Sequence, residues 1–510
     1  MNIRITKILV HLLGMVVVMT TAQLCTNKGF ECTTEQDPCV CKKVNCIPTI
    51  NPCIGLTEMR LMSSTLSTIP SEAFANYSNL QSISILQEED AVIIEENAFK
   101  NQNELKKLEL NVKGSIKEDA FKGLDQLQIF SLKPNFSSVS SKTFTGLTAS
   151  LRELTLSRGI LSDVQKGAFV QFYNLTKLDL SFNKLTKIKS DWMRELSSLQ
   201  ELILTSNSIT MIETDSFEQM SNLKKMDLRL NNLKIISQKI FTGLISITEL
   251  NLSANKLQQI EAGSFRRQYK LQILQLNNNN LVTFSFSDLY QENSTLKALT
   301  LNNNNLTSLV FPTSPTIPLH NLKHIDLHSN MLVTFPTVVL DSYLTNLNHI
   351  NMRLNPFICD CAMSNLSNHF TTFWGNLPDC SKSVLARCFA PSVETKSSNI
   401  SAKIESNVIL RCNILGQPYP VVNWVGPMGK SLIGDYNPYT GVTWLHLRNI
   451  TTALLGRYEC VASNAEGYNK AVITVIEHVE KEQLISHSVF VSTSLPYVMA
   501  YLLIFMLAKL

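Results

Sequence analysis

The stretch LTKLDLSFNKLTKIKSDWMRELSS, residues 175–198, decides the fold because it is followed without a gap by three variants of itself. LQELILTSNSITMIETDSFEQMSN begins at Leu199, LKKMDLRLNNLKIISQKIFTGLIS at Leu223 and ITELNLSANKLQQIEAGSFRRQYK at Ile247. The period is 24 residues each time. A fixed period of this size indicates one structural unit that is stacked many times.

Further copies extend the period in both directions. They begin at Leu271, Leu296, Leu322 and Leu347, with looser copies at Leu56, Leu80, Leu105, Leu127 and Leu151. The shared pattern L-x-x-L-x-L-x-x-N-x-L is that of the leucine-rich repeat. Twelve full repeats and a thirteenth that runs into a cysteine group therefore predict a curved solenoid built on one parallel β-sheet.

The chemistry of each repeat explains the pattern. In the Leu-Asp-Leu triplet at 178–180, strand alternation turns both leucines inward and Asp179 outward. The Asn that ends each motif would lie inside, where its amide can bond backbone groups of its own turn and the next. These residues are Asn183, Asn207, Asn231, Asn255, Asn279, Asn304, Asn330 and Asn355. Phe217, Phe241 and Phe265 recur on the outer side and are expected to fill the core there.

The first five repeats depart from this pattern. Ser64, Glu88, Lys113 and Gly159 hold the Asn position, and only Asn135 matches it. We expect looser or distorted turns in this part of the solenoid. Asn135 also heads an Asn-x-Ser sequon, and one residue cannot be both a buried ladder amide and a glycan carrier. We expect Asn135 to be glycosylated, because Ser137 replaces the next core leucine.

Twelve cysteines fall into three groups, none of them inside the repeat array. The groups are Cys25, Cys32, Cys39, Cys41, Cys46 and Cys53; Cys359, Cys361, Cys380 and Cys388; and Cys412 with Cys460. Even numbers in tight groups predict disulfides in an exported chain. Metal or redox pairs are the alternative for the two Cys-x-Cys motifs, although zinc sites space paired cysteines by two to four residues. Sequence alone leaves three pairings open for the four-cysteine group.

The pattern changes after the second cysteine group. Cys412, Trp424, Tyr458 and Cys460 follow one another with the spacing of an immunoglobulin-like sandwich. A disulfide Cys412–Cys460 would join the two sheets, Trp424 would pack on it, and Tyr458 would form a tyrosine corner. The Asp usual six residues before the second cysteine is Leu454 here, so we expect the salt bridge below the sandwich to be missing without loss of the fold.

This combination resembles the extracellular leucine-rich repeat and immunoglobulin-like domain family of cell-surface adhesion and receptor proteins. The first cysteine group resembles the N-terminal flank of extracellular leucine-rich repeat proteins, with six cysteines instead of four, and residues 355–388 resemble their C-terminal flank. The resemblance implies the pairs Cys359–Cys380 and Cys361–Cys388. The expected fold class is a leucine-rich repeat solenoid of 12–13 repeats with cysteine-rich caps, followed by an all-β immunoglobulin-like sandwich of the I-set type.

Both ends of the chain carry apolar segments that are typical of targeting signals. A basic start and the run ILVHLLGMVVVMT predict a secretory signal cleaved after Ala22, with an uncleaved anchor helix as the alternative. The run LPYVMAYLLIFMLAKL, residues 495–510, is short for a membrane span and favours a glycosylphosphatidylinositol (GPI) signal with attachment at Ser486. A spanning stub and a secreted form are the alternatives. Since only Lys509 and Leu510 follow the apolar run, we expect no cytoplasmic portion.

The expected organisation is extracellular throughout. The domains are a signal peptide at 1–22, a cysteine-rich N-terminal cap at 23–55, leucine-rich repeats at 56–354, a cysteine-rich C-terminal cap at 355–391, an Ig-like domain at 392–476, a stalk at 477–488 and a C-terminal hydrophobic segment at 489–510. Nine sequons predict heavy glycosylation. They are Asn76, Asn135, Asn174, Asn251, Asn293, Asn305, Asn365, Asn399 and Asn449.

The candidate site is the concave face of the solenoid, whose positions flank the strand leucines. The residues chosen as ligand-binding are Lys225, Asp227, Arg229, His324, Asp326, His328, His349 and Arg353. Metal ligation by the three histidines is an alternative, and a polar recognition surface is the simpler interpretation. A solvated face with the true contact elsewhere is also open, because a glycan at Asn251 would shield the centre and move binding to one end or to the Ig-like domain.

The expected function is recognition outside the cell. The net charge of +4 is small for 510 residues and gives no reason to expect nucleic acid. No H-E-x-x-H, G-x-S-x-G or P-loop motif is present, so we expect neither an enzyme nor a cofactor. We expect a glycosylated cell-surface protein that binds a protein ligand or co-receptor, in adhesion or in signalling through a transmembrane partner. A secreted pattern-recognition or ligand-sequestering factor is the alternative, and a metal-dependent ectoenzyme is a third.

Overall fold

The computed structural model confirms a parallel solenoid followed by an antiparallel sandwich. It describes residues 24–25, 31–33, 39–42, 47–48, 57–62, 65–289, 294–311, 319–335, 339–340, 343–357, 389–417, 419–429, 431–432, 434–437, 440–464 and 466–478. Within these residues, sixteen strands form one sheet in chain order. An inner strand begins two residues after every predicted repeat start, which confirms the period of the solenoid.

The inner sheet carries one strand per repeat on its main path, preceded by a short antiparallel pair, and the first repeat adds a second short strand, β6. Its strands are β2 (Glu31–Thr33), β3 (Cys39–Lys42), β5 (Glu58–Met62), β6 (Thr68–Ile69, paired with β7), β7 (Ser82–Ile94), β8 (Lys107–Ile116), β9 (Ile129–Pro134), β11 (Glu153–Leu156), β13 (Lys177–Asp179), β15 (Glu201–Ile203), β17 (Lys225–Asp227), β19 (Glu249–Asn251), β21 (Ile273–Gln275), β23 (Ala298–Thr300), β25 (His324–Asp326) and β26 (His349–Asn351). Only β2 and β3 pair antiparallel. Parallel pairing in one register aligns equivalent residues of successive repeats into columns.

Short two-stranded parallel ribbons lie outside this sheet. They pair β1 (Leu24–Cys25) with β4 (Ile47–Pro48), β10 (Ser138–Val139) with β12 (Asp163–Val164), β14 (Lys187–Ile188) with β16 (Met211–Ile212), β18 (Ile235–Ile236) with β20 (Gln259–Ile260), and β22 (Thr283–Ser285) with β24 (Ser308–Val310). A 3-10 helix follows at Phe286–Leu289. Among the described residues, the rest of the outer side is formed mainly by turns.

A single apolar core runs between the inner strands and the outer turns. Phe217, Phe241 and Phe265 are buried and stack with ring centroids 6.4 and 6.0 Å apart. The prediction for these three residues is confirmed. The same outer position continues in the first repeats as a stack of Phe74, Phe99 and Phe121. Stacked rings in successive turns join repeats that could not bury this surface alone.

The Asn ladder is confirmed from Asn183 to Asn355. Asn231 is representative: its Nδ2 donates to the carbonyls of Leu204 and Leu228 at 2.9 and 3.0 Å, and its Oδ1 accepts from the N–H of Ile209 at 3.0 Å. Each of the other seven predicted residues makes the same set of bonds. The buried bend after each strand is therefore satisfied by one amide per turn.

In the first repeats, the buried backbone groups of the bend are satisfied in another way. Strand β7 runs on for 13 residues, and its pairing with β8 shifts register between Leu86 and Ala91. Gln87, one residue before the predicted position, is buried and bonds both the N–H and the carbonyl of Leu66, at 2.7 and 2.9 Å. Its longer side chain does for this turn what Asn does later. The turns are distorted, as expected, because the strands continue through the bend.

Asn135 does not join the ladder. It is exposed, and its Nδ2 lies 3.5 Å from Ser115 Oγ. The neighbouring residue Pro134 lies close to Gly159: a Cβ atom on Gly159 would clash with the Pro134 carbonyl oxygen, so only glycine fits there. The exposed position is compatible with the predicted glycan.

The second unit is a two-sheet sandwich. One sheet has the order β27 (Phe389–Glu394), β29 (Val408–Gln417), β33 (Val442–Leu447), β32 (Asp435–Asn437), and the other β28 (Asn399–Ala402), β35 (Gly467–Glu477), β34 (Gly456–Asn464), β30 (Val421–Val425), β31 (Ser431–Leu432). Short 3-10 helices lie at Pro427–Gly429 and Thr452–Leu454. This is the predicted immunoglobulin-like architecture.

The expected sandwich core is present. Trp424 is buried, and its Nε1 donates to Thr443 Oγ1 at 3.0 Å. Tyr458 Oη donates to the Leu454 carbonyl at 2.7 Å, which confirms the tyrosine corner. Cys412 and Cys460 are buried thiols; a hydrogen bond to Cys412, together with burial, raises the pKa of Cys460. This proximity is compatible with the Cys412–Cys460 disulfide, which stays a prediction.

Several predictions fall on residues outside the described ranges. These are the signal peptide, the C-terminal cap cysteines Cys359, Cys361, Cys380 and Cys388, the sequons at Asn293 and Asn365, Ser486 and the C-terminal hydrophobic segment. Cys41 is buried and disulfide-bonded, while the pairing of the N-terminal set stays open. No helix in the described part of the chain is long and apolar enough to span a membrane.

Candidate functional site

The concave face presents three columns of outward side chains, because every inner strand repeats the same register. The first column passes through Lys177, Glu201, Lys225, Glu249, Ile273, Ala298, His324 and His349. The middle column passes through Asp179, Ile203, Asp227, Asn251, Gln275, Thr300, Asp326 and Asn351. The third column stands two residues further on and includes Arg229, His328 and Arg353.

The first column is a charge ladder over its central turns. Lys177 Nζ lies 3.4 Å from the Glu201 carboxylate, and Lys225 Nζ lies 2.9 Å from that of Glu249. The hydrogen bond to Glu249 raises the pKa of Lys225, although the lysine side chain is exposed. Opposite charges on directly paired positions neutralise one another within the sheet. This stretch therefore offers a ligand little net charge.

Side chains of the middle column face solvent and also form hydrogen bonds with the backbone. One side-chain oxygen in five of its turns accepts a hydrogen bond from the N–H two residues on, at 2.8 to 3.4 Å. The pairs are Asp179 with Ser181, Asp227 with Arg229, Asn251 with Ser253, Asp326 with His328 and Asn351 with Arg353. These are Asx turns that end the strand. The predicted ligand residues Asp227 and Asp326 thus have a structural role that the sequence analysis missed.

Asp227 is engaged further. Its Oδ2 lies 3.2 Å from Arg229 Nε, so the two predicted ligand residues are paired with each other. The Arg229 side chain remains about half exposed. Together with the Lys177–Glu201 and Lys225–Glu249 pairs, this pairing leaves the middle of the concave face with little net charge.

The sequon at Asn251 lies at the centre of the concave face. Asn251 is half-buried, and its Oδ1 accepts from both the N–H and the hydroxyl of Ser253, at 3.0 and 2.6 Å. Its register partners are Asp227 and Gln275. A glycan on Asn251 would stand between the central ladder and the last strands, which makes the C-terminal end of the face the more accessible part.

The C-terminal end of the face has a different character. The rings of His324 and His349 lie side by side with centroids 5.9 Å apart. His328 Nδ1 lies 2.7 Å from Asp326 Oδ1 and 3.2 Å from Asn351 Nδ2. Because a carboxylate only accepts, the shorter contact is a hydrogen bond that the Nδ1–H of His328 donates to Asp326. The predicted residues of β25 and β26 are thus brought together, with imidazole rings where the central turns have lysine and glutamate.

Metal ligation by this cluster receives no support from the geometry. Among the described residues, no group of three or more His, Cys, Asp or Glu side chains could hold a metal ion. The C-terminal end of the concave face is a polar surface of imidazole, carboxylate and guanidinium groups.

The described sequons are mostly open to solvent. Exposed acceptors are Asn76, Asn135, Asn305, Asn399 and Asn449. Asn174 is half-buried, and its Nδ2 donates to the Ala149 carbonyl at 3.0 Å. These positions show accessibility, and glycosylation stays a prediction.

Comparison with known families agrees with both units of the structure. Residues 50–146 and 92–224 match the BspA type Leucine rich repeat region, 197–257 and 245–306 match the Leucine rich repeat, and 391–476 match the Immunoglobulin I-set domain. The chain is a leucine-rich repeat and immunoglobulin-like domain protein. The I-set match also confirms the predicted type of sandwich.

Similar proteins share this domain combination. Leucine-rich repeat, immunoglobulin-like domain and transmembrane domain-containing protein 3 of Homo sapiens is 30% identical over 167 residues, covering 28% of this chain and 24% of the relative. Its Mus musculus counterpart is 28% identical over 148 residues, covering 25% and 22%. This leucine-rich repeat and immunoglobulin-like domain protein therefore spans about a quarter of the length of these curated relatives.

Solved structures support the fold. A chain of the Drosophila Toll–Spatzle complex superimposes with a TM-score of 0.50 at 20% identity, covering 58% of this chain and 42% of that one. At this identity the likeness concerns the fold, which in this leucine-rich repeat and immunoglobulin-like domain protein is the curved solenoid.

Proposed function

We propose that this protein is a glycosylated cell-surface recognition protein that binds a protein ligand or co-receptor outside the cell, in adhesion or in signalling through a transmembrane partner. Its domain combination supports extracellular recognition, since the relatives are named as transmembrane proteins with the same domains. Solenoids of this kind bind partners on extended concave surfaces. The absence of enzymatic activity remains an expectation.

The observation that carries the proposal is the contrast along the concave face. The central turns are neutralised by the Lys177–Glu201 and Lys225–Glu249 pairs. On the last two strands the same column carries two adjacent histidine rings, His324 and His349, in place of lysine and glutamate. We therefore assign the ligand contact to the C-terminal end, from β25 to the residues just after β26. Arginine is enriched among the side chains that anchor interfaces, and Arg353 lies just after β26.

The first prediction concerns this end of the face. The triple variant His324→Ala/His349→Ala/Arg353→Ala is expected to weaken ligand binding at least about tenfold, because it removes three candidate anchors from one surface. The full-length protein on cells is first screened against a library of secreted proteins and receptor ectodomains. Affinity is then measured for each protein that binds.

The control removes three exposed basic residues that lie off the concave face. Lys184→Ala/Lys187→Ala/Lys256→Ala should bind normally. Equal losses in the two triple variants would contradict the assignment of the contact to the C-terminal end. A screen without any protein ligand would contradict the proposed function itself.

The second prediction concerns the membrane anchor. We infer a GPI anchor attached at Ser486, because a short apolar segment follows small residues there. Phosphatidylinositol-specific phospholipase is expected to release the protein intact from expressing cells, and a known transmembrane protein should stay behind. Retention while control GPI proteins are released would contradict the anchor and favour a spanning stub. Protein found mainly in untreated medium would favour the secreted alternative.

A further inference from the structure

A second row of side chains runs beside the concave face, at the residue immediately before each inner strand. We call it the edge row. Its members are Thr57, Gln81, Lys106, Gln128, Arg152, Thr176, Gln200, Lys224, Thr248, Gln272, Lys297, Lys323 and Asn348. The N–H of each member donates to the carbonyl of the member before it, at 2.7 to 3.0 Å. This unbroken chain of hydrogen bonds shows that members far apart in sequence are neighbours in space.

The edge row is charged with one sign only. Its five ionised members are Lys106, Arg152, Lys224, Lys297 and Lys323, all exposed, and none of the thirteen positions is acidic. None of these five side chains forms an ion pair within the described part of the chain. Their positive charge is therefore available to a partner.

Neutral neighbours orient three of the four edge-row lysines. Nζ of Lys106 donates to Gln81 Oε1, and Nζ of Lys224 donates to Gln200 Oε1, at 3.2 and 3.0 Å. Lys297 Nζ donates to Gln272 Oε1 at 2.9 Å. A glutamine orients the amine without neutralising it, whereas the adjacent concave column pairs its lysines with glutamates. Each edge-row residue directly precedes a residue of the first concave column in the sequence. The edge-row lysines keep their positive charge, whereas the paired lysines of the concave column are neutralised.

The charge is spread along a line. From Lys106 to Lys323 the row takes nine steps between strands, which at about 4.8 Å each extend over roughly 40 Å. From β11 to β26, the four residues before each inner strand include no Asp or Glu. Lys270, exposed in the same turn as Gln272, adds a charge between Lys224 and Lys297. A compact anion cannot contact such a row, but a linear polyanion can.

We propose that the edge row binds a sulfated polysaccharide of the glycosaminoglycan class. Regularly sulfated chains are linear and carry charge along their whole length, so they match a line of exposed, unpaired cations. Binding of this kind is driven by counterion release and depends steeply on salt. The site is distinct from the concave face and does not rest on the protein ligand proposed above.

The test uses heparin dodecasaccharide and the purified full-length protein at several salt concentrations. Lys224→Gln/Lys297→Gln/Lys323→Gln should bind at least about tenfold more weakly at about 0.15 M salt. Its slope of log affinity against log salt should be smaller by about two to three. The matched control Lys100→Gln/Lys189→Gln/Lys470→Gln removes the same charge from lysines already paired with carboxylates, and should bind normally. Lys224→Arg/Lys297→Arg/Lys323→Arg keeps the three positive charges and should bind heparin like the wild-type protein.

Three outcomes would overturn the proposal. One is no heparin binding by the wild-type protein. Another is equal weakening of the edge-row variant and its control, which would show that net charge alone matters. The third is equal affinity for a DNA oligonucleotide of matched charge, which would assign the row to polyanions in general. Each is independent of the protein-ligand screen, so either proposal can fail alone.

Discussion

Asn279→Ala is expected to lower the free energy of unfolding of the solenoid by about 3–5 kcal/mol. Asn279 is 5% exposed, and its Nδ2 donates to the carbonyls of Leu252 and Leu276 at 3.1 and 3.0 Å. Its Oδ1 accepts from the N–H of Leu257 at 3.0 Å. Alanine leaves the buried N–H of Leu257 without a partner, which costs about 1–3 kcal/mol. It also removes one of the two amide donors from each carbonyl, since Leu252 O still accepts from Asn255 and Leu276 O from Asn304. Each of these two lost bonds adds about 0.5–1.5 kcal/mol.

The residue that follows, Asn280, provides a matched control. Asn280 is exposed and outside the ladder, so Asn280→Ala should change the free energy of unfolding by less than about 0.5 kcal/mol. Asn279→Asp should be no more stable than Asn279→Ala, because it removes the donor and places a charge against carbonyl oxygens. Urea unfolding monitored by circular dichroism measures all three variants. Similar stability of the 279 and 280 alanine variants would refute a structural role for the ladder.

Trp424→Ala is expected to destabilise the Ig-like domain by about 3–5 kcal/mol. Trp424 is 1% exposed. It lies on β30, directly opposite Cys460 on the neighbouring strand β34. Its indole fills the core, and its Nε1 bonds Thr443 Oγ1, which in turn donates to the Asp435 carbonyl at 2.8 Å. The substitution creates a cavity and removes one partner of a buried hydroxyl.

Tyr468→Ala removes an aromatic ring from the same sandwich at a position that is 71% exposed. It should leave the thermal transition of the Ig-like domain nearly unchanged. Differential scanning calorimetry of the full-length variants compares the two. Trp424→Phe should lie between them, since it keeps an apolar ring but loses the Nε1 donor. If Trp424→Ala melted at the temperature of Tyr468→Ala, the tryptophan would not be a core residue.

Much of the candidate site could be predicted only as a list of positions. Alternation placed Lys225, Asp227 and His324 on the concave face correctly, because it depends on one strand. Which charges neutralise one another depends on the register between strands. Lys177 and Glu201 are 24 residues apart in sequence and meet only across that register. One signal was available: an Asp or Asn that returns at the same position of successive repeats is more plausibly structural than ligand-binding.

The sequence by itself determined the solenoid, its Asn ladder and the sandwich core. Each rests on local periodicity or on a fixed spacing of Cys, Trp and Tyr, which one chain displays without reference to its neighbours. Only the tertiary structure decided that Gln87 replaces a ladder Asn, because a strand that continues through its bend moves the buried position by one residue. Only the stacking of the repeats separated a neutralised concave column from the edge row beside it, whose five cations form no ion pair among the described residues, since electrostatic pairing depends on distances between turns.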